Sequence, residues 1–453
     1  MCRHRVTHLW RLLGVGALLT ASRTDKAVDD AADGAGRCDA CVDAGWGMGP
    51  RGGLRRQREE EVMQHSTARI LTTHTGSLPR PAALVQTMEG HDQREVRAHP
   101  GFTSQVQAAV AAAVRHQADV GIDVLTDGEM SKVAFSAYVT ERVTGFDGPP
   151  RPPAPQIEPR LFPEYYQTLP PVSPGFRACN GPITWRGDAY VQQDIATLQA
   201  ALQGVTPAEV FLPAVSPGQI WFNFSNDYYP TDEAYIYAVA DALKHEYRAI
   251  VEAGFLLQID SPELAMSWNR AEFAEQTFED YRQFVARHIA AINYALEGIP
   301  SDRVRLHLCW GNGERPHVRD CPIAEIIDVI YTVHAEALSF EGANPRHAHE
   351  WKIFQDHPLP AGKLIIPGVI DSLTNVVEHP ELVAERIVRY AELVGKENVI
   401  AGTDCGFSTG VRAQPRVHPT VAWAKLQALA EGAQLATQQL WGLAAPARPR
   451  TAE

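Results

Sequence analysis

The sequence predicts a (β/α)8 barrel, an α/β fold in which a ring of parallel strands is surrounded by helices. Short apolar or β-branched segments alternate with amphipathic helical segments from residue 66 onward, and such alternation requires a parallel sheet. The eight candidate strands match one barrel with insertions. No G-x-G-x-x-G or G-x-x-x-x-G-K-[ST] motif follows a candidate strand, so an open, doubly wound nucleotide-binding sheet lacks motif support.

The candidate strands share a short apolar or β-branched run that is bounded by turn-forming residues. A further run, PITWRG (182–187), is interpreted as a strand of an extra hairpin. The eight barrel strands are predicted at RILTTH (69–74), DVLTD (123–127), VFLPAV (210–215), LLQID (256–260), VRLHLC (304–309), ALSFE (337–341), KLIIPGV (363–369) and NVIAGT (398–403).

Two of the intervening helices carry clear end signals. One is predicted to begin after Thr231, which is a suitable N-cap, and to end at Gly254. Another has Pro380 in its first turn and Gly395 just past its end. These signals predict two amphipathic helices that each precede a barrel strand.

A proline-rich insertion interrupts the pattern at residues 147–174. It contains ten prolines together with Phe162, Tyr165 and Tyr166, so it cannot be regular and is expected to be semi-rigid. Two interpretations stay open. The segment either covers a pocket or is a surface loop.

Composition indicates a globular protein that acts on a small molecule. The formal charge is −13, and neither a basic stripe nor a known nucleic-acid-binding motif occurs, so nucleic acid is not expected as a partner. No apolar run reaches the roughly 18 residues that a membrane crossing needs. The cysteines are odd in number and scattered, which favours a reducing, cytoplasmic location over a disulfide framework: Cys2, Cys38, Cys41, Cys179, Cys309, Cys321 and Cys405.

The first 65 residues are predicted to be an extension that is disordered or not native. Residues 3–22 imitate a secretory signal, but Arg11 interrupts the apolar run and no hydrophobic period follows. We hypothesise that translation starts at Met63, and a cleaved export signal is the alternative. One catalytic domain is predicted over residues 66–445, followed by a tail over residues 446–453.

Polar residues follow the carboxyl ends of most candidate strands, where a barrel builds its site. His307 and Cys309 are one residue apart in a strand, so their side chains are expected to point the same way. The remaining polar positions are HTGS (74–77), DGE (127–129), Asp260, Glu341, Asp371 and DC (404–405). We expect one convergent polar ring.

His307, Cys309, Glu341 and Cys405 supply the four ligands that zinc prefers. The alternatives are a buried His–Cys pair, a buried thiol at Cys405 and a surface carboxylate at Glu341. Two cysteinates soften the metal and suit it to holding a substrate thiol as a thiolate. Weaker metal candidates are His347, His349, Cys321, Cys179 and the isolated pair Cys38 and Cys41.

The stretch from about residue 69 to 410 resembles the catalytic barrel of cobalamin-independent methionine synthases. The resemblance includes their short, single-barrel relatives, among them epoxyalkane:coenzyme M transferases. It rests on THTGSLPRP (73–81), GIDVLTDGE (121–129), LQIDSP (257–262), HLCW (307–310), SFE (339–341), PGVID (367–371) and TDCG (403–406).

This resemblance implies a TIM barrel whose zinc is held by His307, Cys309, Glu341 and Cys405. It also implies that Ser77, Glu129 and Asp260 hold the amino-acid group of homocysteine. Two carboxylates suit an ammonium ion, so the residue types agree with that role. No residue is assigned a catalytic role.

The expected activity is transfer of a methyl group, from a methylated folate, to a zinc-bound homocysteine thiolate. The family histidine and glutamate on the folate side are replaced by Leu373 and Met266, and His74 or His379 is a candidate proton donor. The alternative is opening of an epoxide by coenzyme M, with Arg80 or Lys132 meeting the sulfonate. Two non-enzymatic alternatives are a zinc-storing barrel and a metal-free structural barrel.

Overall fold

Eight parallel strands form the centre of the computed structural model, which describes residues 62–169, 175–411 and 415–443. Each strand pairs with its neighbours along the chain, which is the topology of a (β/α)8 barrel. The strands are β1 (Leu71–Thr72), β2 (Val124–Leu125), β3 (Glu209–Val215), β4 (Leu256–Asp260), β5 (Val304–His307), β6 (Ala337–Phe340), β7 (Leu364–Ile370) and β8 (Ile400–Thr403).

The ring is closed between β1 and β2 by a mixture of backbone and side-chain bonds. The Asp123 amide donates to the Thr72 carbonyl over 3.2 Å, and the Thr72 amide donates to the Asp123 carboxylate over 2.9 Å. The Thr73 hydroxyl donates to the Val124 carbonyl over 3.2 Å. The predicted barrel and all eight predicted strand positions are therefore confirmed, and five of the strands are shorter than the sequence suggested.

The predicted ninth strand is wrong. Residues 182–187 contain a single bridge, between Trp185 and Val143, because Pro182 has no amide hydrogen and a helix begins directly after Gly187. The small hairpin instead pairs Pro150–Arg151 with Phe176–Arg177.

Helices surround the barrel, and the two predicted helix boundaries are confirmed. Thr231 accepts a hydrogen bond from the Ala234 amide, and the Pro380 helix ends before Gly395, whose φ is +88°. None of the described helices combines the length and apolar composition that a bilayer crossing requires. The long helices are Phe102–Asp119, Asp188–Ala201, Asp232–Glu252, Phe278–Ala295, Pro380–Val394 and Pro419–Trp441.

Shorter helices occupy the loops. Those of α type are Ala82–Met88, Gln93–Ala98, Val139–Arg142, Glu158–Leu161, Pro163–Gln167, Pro217–Asn223, Glu263–Met266, Ile327–Ile330 and Ile353–Asp356. Those of 3-10 type are Ser267–Asn269, Ala271–Phe273, Ser301–Arg303, Ile323–Glu325, Glu350–Lys352 and Lys396–Asn398.

An apolar layer fills the amino-terminal end of the barrel. Leu71, Val124, Phe211 and Leu256 contribute from the first four strands, and the buried Met63 side chain packs with them. Arg305 lies above Phe211, with its guanidinium 4.0 Å from the ring centroid. The predicted extension over residues 1–65 lies outside the described residues, except for residues 62–65.

The proline-rich insertion docks on the loops that follow β4 and β5. The Ile157 amide donates to the Asn269 carbonyl over 2.8 Å, and the Tyr165 hydroxyl donates to the Glu314 carbonyl over 2.6 Å. The buried Glu158 carboxylate accepts from the Arg319 amide over 3.2 Å. These contacts hold the insertion against the loops at the carboxyl end of the barrel. The expectation that the segment cannot be regular is corrected, because it contains the short helices Glu158–Leu161 and Pro163–Gln167.

Candidate metal centre and substrate cavity

Three of the four predicted metal ligands come together at the carboxyl end of the barrel. His307 is the last residue of β5, Cys309 follows it, and Cys405 follows β8. One ligand atom from each lies within 4.8 Å of the other two, and all three residues are buried. One nitrogen and two sulfur donors at this spacing are the donor set of a zinc site.

The His307 imidazole is prepared to act as a ligand. Its Nδ1 lies 3.1 Å from the Ser339 hydroxyl, whereas its Nε2 is buried without a hydrogen-bond partner among the described residues. Burial, with help from Arg305, lowers the pKa of His307 to about 3, so the ring is neutral. An anchored Nδ1 with a free Nε2 is the usual second-layer arrangement of a metal-bound histidine.

The two thiols share a hydrogen bond. That bond from Cys405, followed by burial, raises the pKa of Cys309 well above its ordinary value. A divalent cation between such groups would favour their thiolate forms. The donor set therefore fits a soft cation.

Glu341 lies outside this group of three. Its carboxylate accepts from the Asn344 amide nitrogen Nδ2 over 2.9 Å and from the Trp310 backbone amide over 3.4 Å. Burial raises its pKa well above the ordinary value, and Cys309 and Asp404 add to the effect. Hydrogen bonds from Asn344 and Trp310 therefore hold the two carboxylate oxygens of Glu341.

Asp404 fixes the loops that carry Glu341 and Cys405. Its carboxylate accepts from the amides of Gly342, Ala343 and Asn344, each over 2.8 Å. Burial raises its pKa to about 6, although these donors act in the opposite direction. Asp404, in the polar turn predicted after β8, therefore ties that turn to the loop after β6 and holds both in place.

A cavity of about 320 Å³ opens beside the three ligands. The residues predicted to bind the substrate, Ser77, Glu129 and Asp260, line this same cavity. The structure thus brings together six of the seven predicted site residues, and Glu341 is the exception.

Glu129 is held in an uncommon backbone conformation, with φ of 57°. Its amide donates to the Asp127 carboxylate over 2.9 Å, which stabilises the turn after β2. One carboxylate oxygen, Oε1, is 3.6 Å from the Lys132 ammonium, and the other is buried without a partner among the described residues. Burial, and then the charge of Glu129, raise the pKa of Asp260 well above its ordinary value. The two carboxylates therefore favour a bound cation.

Ser77 is packed against the turn that contains Cys405. Its hydroxyl accepts from the Ser408 amide over 3.3 Å. A Cβ on Gly406 would lie 2.0 Å from this hydroxyl, so glycine is required there. This close approach joins the HTGS and TDCG segments into one wall.

Several large apolar side chains also line the cavity. They are Phe135, Phe176, Phe222, Pro262 and Met266. The cavity therefore combines acidic and sulfur-containing groups with apolar side chains.

Sequence reasoning missed several cavity residues that come from irregular loops. Gln219, Asn223 and Asn312 line the cavity, although none directly ends a strand. The sequence signal that could have indicated Asn312 is its place in the WGN segment, just after the HLC motif.

The predicted polar residue Asp371 lies in a turn that does not line the cavity. Its carboxylate accepts hydrogen bonds from the amides of Leu373 and Thr374.

Four other candidates have structural roles in the described chain. Arg80 donates to the carbonyls of Glu129 and Lys132, and Lys132 donates to the Pro213 carbonyl over 2.6 Å; neither lines the cavity. His74 Nε2 lies 2.9 Å from Gln117 Oε1, and burial lowers the pKa of His74 to about 4, so its ring is neutral near neutral pH. His379 caps the helix Pro380–Val394.

The weaker metal candidates form no ligand group within the described ranges. His347 instead pairs with Asp320 and Glu350, over 3.0 and 2.8 Å. Cys179 and Cys321 are buried free thiols. The pair Cys38 and Cys41 lies outside the described residues.

Comparisons with known proteins agree with the motifs. The family model "Cobalamin-independent synthase, catalytic domain" matches residues 221–426. The chain is 22% identical to a methionine synthase of Saccharolobus islandicus, over 82% of this chain and 95% of that protein. It is 25% identical to the 2-hydroxypropyl-CoM lyase of Xanthobacter autotrophicus, over 82% of this chain and 92% of that protein.

Solved structures show the same fold. A B12-independent methionine synthase from Shewanella sp. W3-18-1, in complex with selenomethionine, has a TM-score of 0.63 at 19% identity, covering 83% of this chain and all of that one. A putative enzyme of the same type from Listeria monocytogenes has a TM-score of 0.56 at 18% identity, covering 81% of this chain and 98% of that one. The comparisons confirm the resemblance: the chain is similar to cobalamin-independent methionine synthases and to a 2-hydroxypropyl-CoM lyase over most of its length, and it has the fold of the B12-independent methionine synthases.

Proposed function

We propose that the protein is a zinc-dependent methyltransferase that converts homocysteine to methionine, with a methylated folate as the methyl donor. The observation that carries the proposal is one cavity in which a His–Cys–Cys group lies beside two buried carboxylates. The first feature suits a thiol, and the second suits an ammonium group. Homocysteine carries both groups.

His307, Cys309 and Cys405 would hold the zinc, and Glu341 is the proposed fourth ligand. Bound there, zinc would lower the pKa of a substrate thiol and keep it as a nucleophilic thiolate near neutral pH. The Ser339 hydroxyl beside Nδ1 keeps Nε2 of His307 directed toward the thiols. The bonds to Asp404 fix the turn that carries Cys405.

Glu129 and Asp260 are proposed to bind the ammonium group of the substrate. The unpartnered oxygen of Glu129 is available as an acceptor, and an ammonium ion would relieve the repulsion between the two carboxylates. Ser77 completes this end of the cavity. Together these residues orient the sulfur atom, which is the main contribution a protein makes to such a transfer.

In the transfer, the sulfur lone pair forms a bond to the methyl carbon while the bond from that carbon to the donor nitrogen breaks. The donor nitrogen keeps the electron pair and gains a proton, and the thiol loses one. The apolar side chains of Phe135, Phe222 and Met266 line the cavity and are proposed to exclude water from the reacting atoms. Met266 stands at the position where the family resemblance expected a folate-contacting glutamate.

Thiol alkylation with coenzyme M is the second candidate, because a 2-hydroxypropyl-CoM lyase is among the relatives. Coenzyme M carries a sulfonate, which calls for a cationic side chain. No Lys or Arg occurs among the described residues that line the cavity; Arg80 binds backbone carbonyls, and Lys132 binds the Pro213 carbonyl and lies 3.6 Å from Glu129 Oε1. The two acidic side chains suit the ammonium group of homocysteine, which coenzyme M lacks, so the charge pattern favours homocysteine.

The test is to load the protein with zinc and assay two pairs: homocysteine with methyltetrahydrofolate, and coenzyme M with epoxypropane. We expect methionine from the first pair and no product from the second. Glu129→Gln should raise KM for homocysteine about tenfold or more, since a charge-assisted hydrogen bond is lost. Glu431→Gln removes an exposed carboxylate on the last helix and is the matched control.

Two outcomes would contradict the proposal. Epoxide consumption without methyl transfer would assign the protein to the second candidate. Zinc binding with no turnover of either pair, unaffected by Glu129→Gln or Asp260→Asn, would indicate a zinc-storing barrel.

A further inference from the structure

The unpartnered polar atoms of the cavity are acceptors. Glu129 Oε2, Gln219 Oε1 and Asn312 Oδ1 belong to cavity-lining residues, and each is buried without a hydrogen-bond partner among the described residues. Buried acceptors of this kind are normally satisfied, so they indicate a ligand that supplies hydrogen-bond donors. Asn312 was not predicted from the sequence, and its geometry is the most restricted of the three.

The amide of Asn312 can face only one way. Its Nδ2 donates to the Gly406 carbonyl over 2.7 Å. A flipped amide would place two oxygen atoms together, which is unfavourable because both are acceptors. Asn312 Oδ1 is therefore directed away from Gly406 and stays free to accept.

Asn312 lies at the amino-acid end of the cavity. Gly406, its partner, follows Cys405 and approaches the Ser77 hydroxyl so closely that a Cβ would clash with it. Asn312 also follows Cys309 by three residues. It therefore links the loop that carries Cys309 to the turn that carries Cys405, and Gly406 of that turn packs against the serine proposed to contact the substrate.

We propose that Asn312 is a specificity-determining residue whose Oδ1 accepts a hydrogen bond from the α-ammonium group of the thiol substrate. This inference rests on the proposed function and deepens it: the site selects amino-acid thiols over thiols that lack the amino group. Glu129 and Asp260 supply the opposite charge, and Asn312 supplies a directional acceptor. A neutral acceptor adds selectivity without a third buried negative charge.

The test compares two ligands on the zinc-loaded protein by titration calorimetry. They are homocysteine and 4-mercaptobutanoate, which is the same molecule without its amino group. Asn312→Ala should weaken homocysteine binding about tenfold to a hundredfold, as expected for a hydrogen bond to a charged group. Binding of 4-mercaptobutanoate should change less than about twofold.

Two further variants separate recognition from structure. Asn312→Gln keeps both an amide donor for the Gly406 carbonyl and a neutral oxygen acceptor, so it should recover part of the homocysteine binding relative to Asn312→Ala, without improving 4-mercaptobutanoate binding. Asn398→Ala is the matched control, since its Nδ2 also donates to a backbone carbonyl, that of Val394, but at the other end of the barrel. Zinc content and thermal unfolding should be recorded for every variant.

Equal weakening of both thiols by Asn312→Ala, or no weakening of either, would overturn the role of Asn312. A wild-type protein that binds homocysteine no better than 4-mercaptobutanoate would instead overturn the proposed function. The two failures are therefore distinguishable.

Discussion

The Ser339 hydroxyl lies 3.1 Å from Nδ1 of His307, and this contact joins β6 to the proposed metal ligand on β5. Its consequence is that Nε2 is left without a partner beside Cys309 and Cys405. The contact orients the ring, and the tautomer that lets Nε2 bind a metal carries its hydrogen on Nδ1 and donates it to the hydroxyl. Metal affinity should therefore depend on a residue that does not touch the metal.

We expect Ser339→Ala to lower zinc affinity about tenfold to a hundredfold, the usual effect of removing a supporting bond from a metal-bound histidine. Competition with a chromophoric chelator measures this. Ser66→Ala is the control: Ser66 is also buried and donates to the Val399 carbonyl, but it lies at the amino-terminal end of the barrel. Equal affinities for wild type and Ser339→Ala would show that the contact does not orient the ligand.

Zinc content should depend on Cys405 and Cys309 but not on the remaining buried thiols. Cys405→Ala removes one of three clustered donors, so we expect less than about a tenth of the wild-type zinc after dialysis. Cys179→Ala and Cys321→Ala are matched controls, because both thiols are buried and free but stand outside the group. Elemental analysis gives the answer, and full zinc occupancy in Cys405→Ala would refute the assignment.

Sequence reasoning succeeded where parallel-strand geometry determines position. Because the strands run in one direction, residues at their carboxyl ends converge, and His307, Cys309 and Cys405 do lie together. The same rule placed Glu129 and Asp260 in the cavity. Local pattern and one topological rule were sufficient for these residues.

The failures involve residues whose partners are distant in sequence. Arg80 was a candidate for binding an anion, but its guanidinium donates hydrogen bonds to the carbonyls of Glu129 and Lys132, about fifty residues later in the chain. Asn312 was missed because its role depends on Gly406, which lies 94 residues later. Pairings of this kind arise only after the loops have packed, so periodicity and spacing do not reveal them.

Gly406→Ala should disturb the substrate end of the cavity. The new Cβ would lie 2.0 Å from the Ser77 hydroxyl, so either the serine or the turn after Cys405 must shift. We expect a loss of about 1 to 3 kcal/mol of unfolding free energy from overpacking, together with weaker homocysteine binding. Gly181→Ala is the control, since its nearest neighbour would be 3.8 Å away. Unchanged homocysteine binding in Gly406→Ala would show that the turn adapts without moving Ser77.

Glu209, at the start of β3, should make stability depend on pH. Burial raises its pKa from 4.5 to about 7, and its Oε2 has no hydrogen-bond partner among the described residues. The folded protein therefore holds this proton more tightly than the unfolded chain. Its ionisation destabilises the fold progressively as pH rises from 4.5 to about 7, and the full penalty applies above that range.

Glu209→Gln removes this penalty and should raise the unfolding free energy by about 1 to 3 kcal/mol at roughly pH 8, with a much smaller gain near pH 5. Urea denaturation at both pH values measures the difference. Glu431→Gln, an exposed carboxylate, should leave the profile unchanged at both. An equal gain from Glu209→Gln at the two pH values would mean that packing of the amide, and not removal of a buried charge, accounts for the stabilisation.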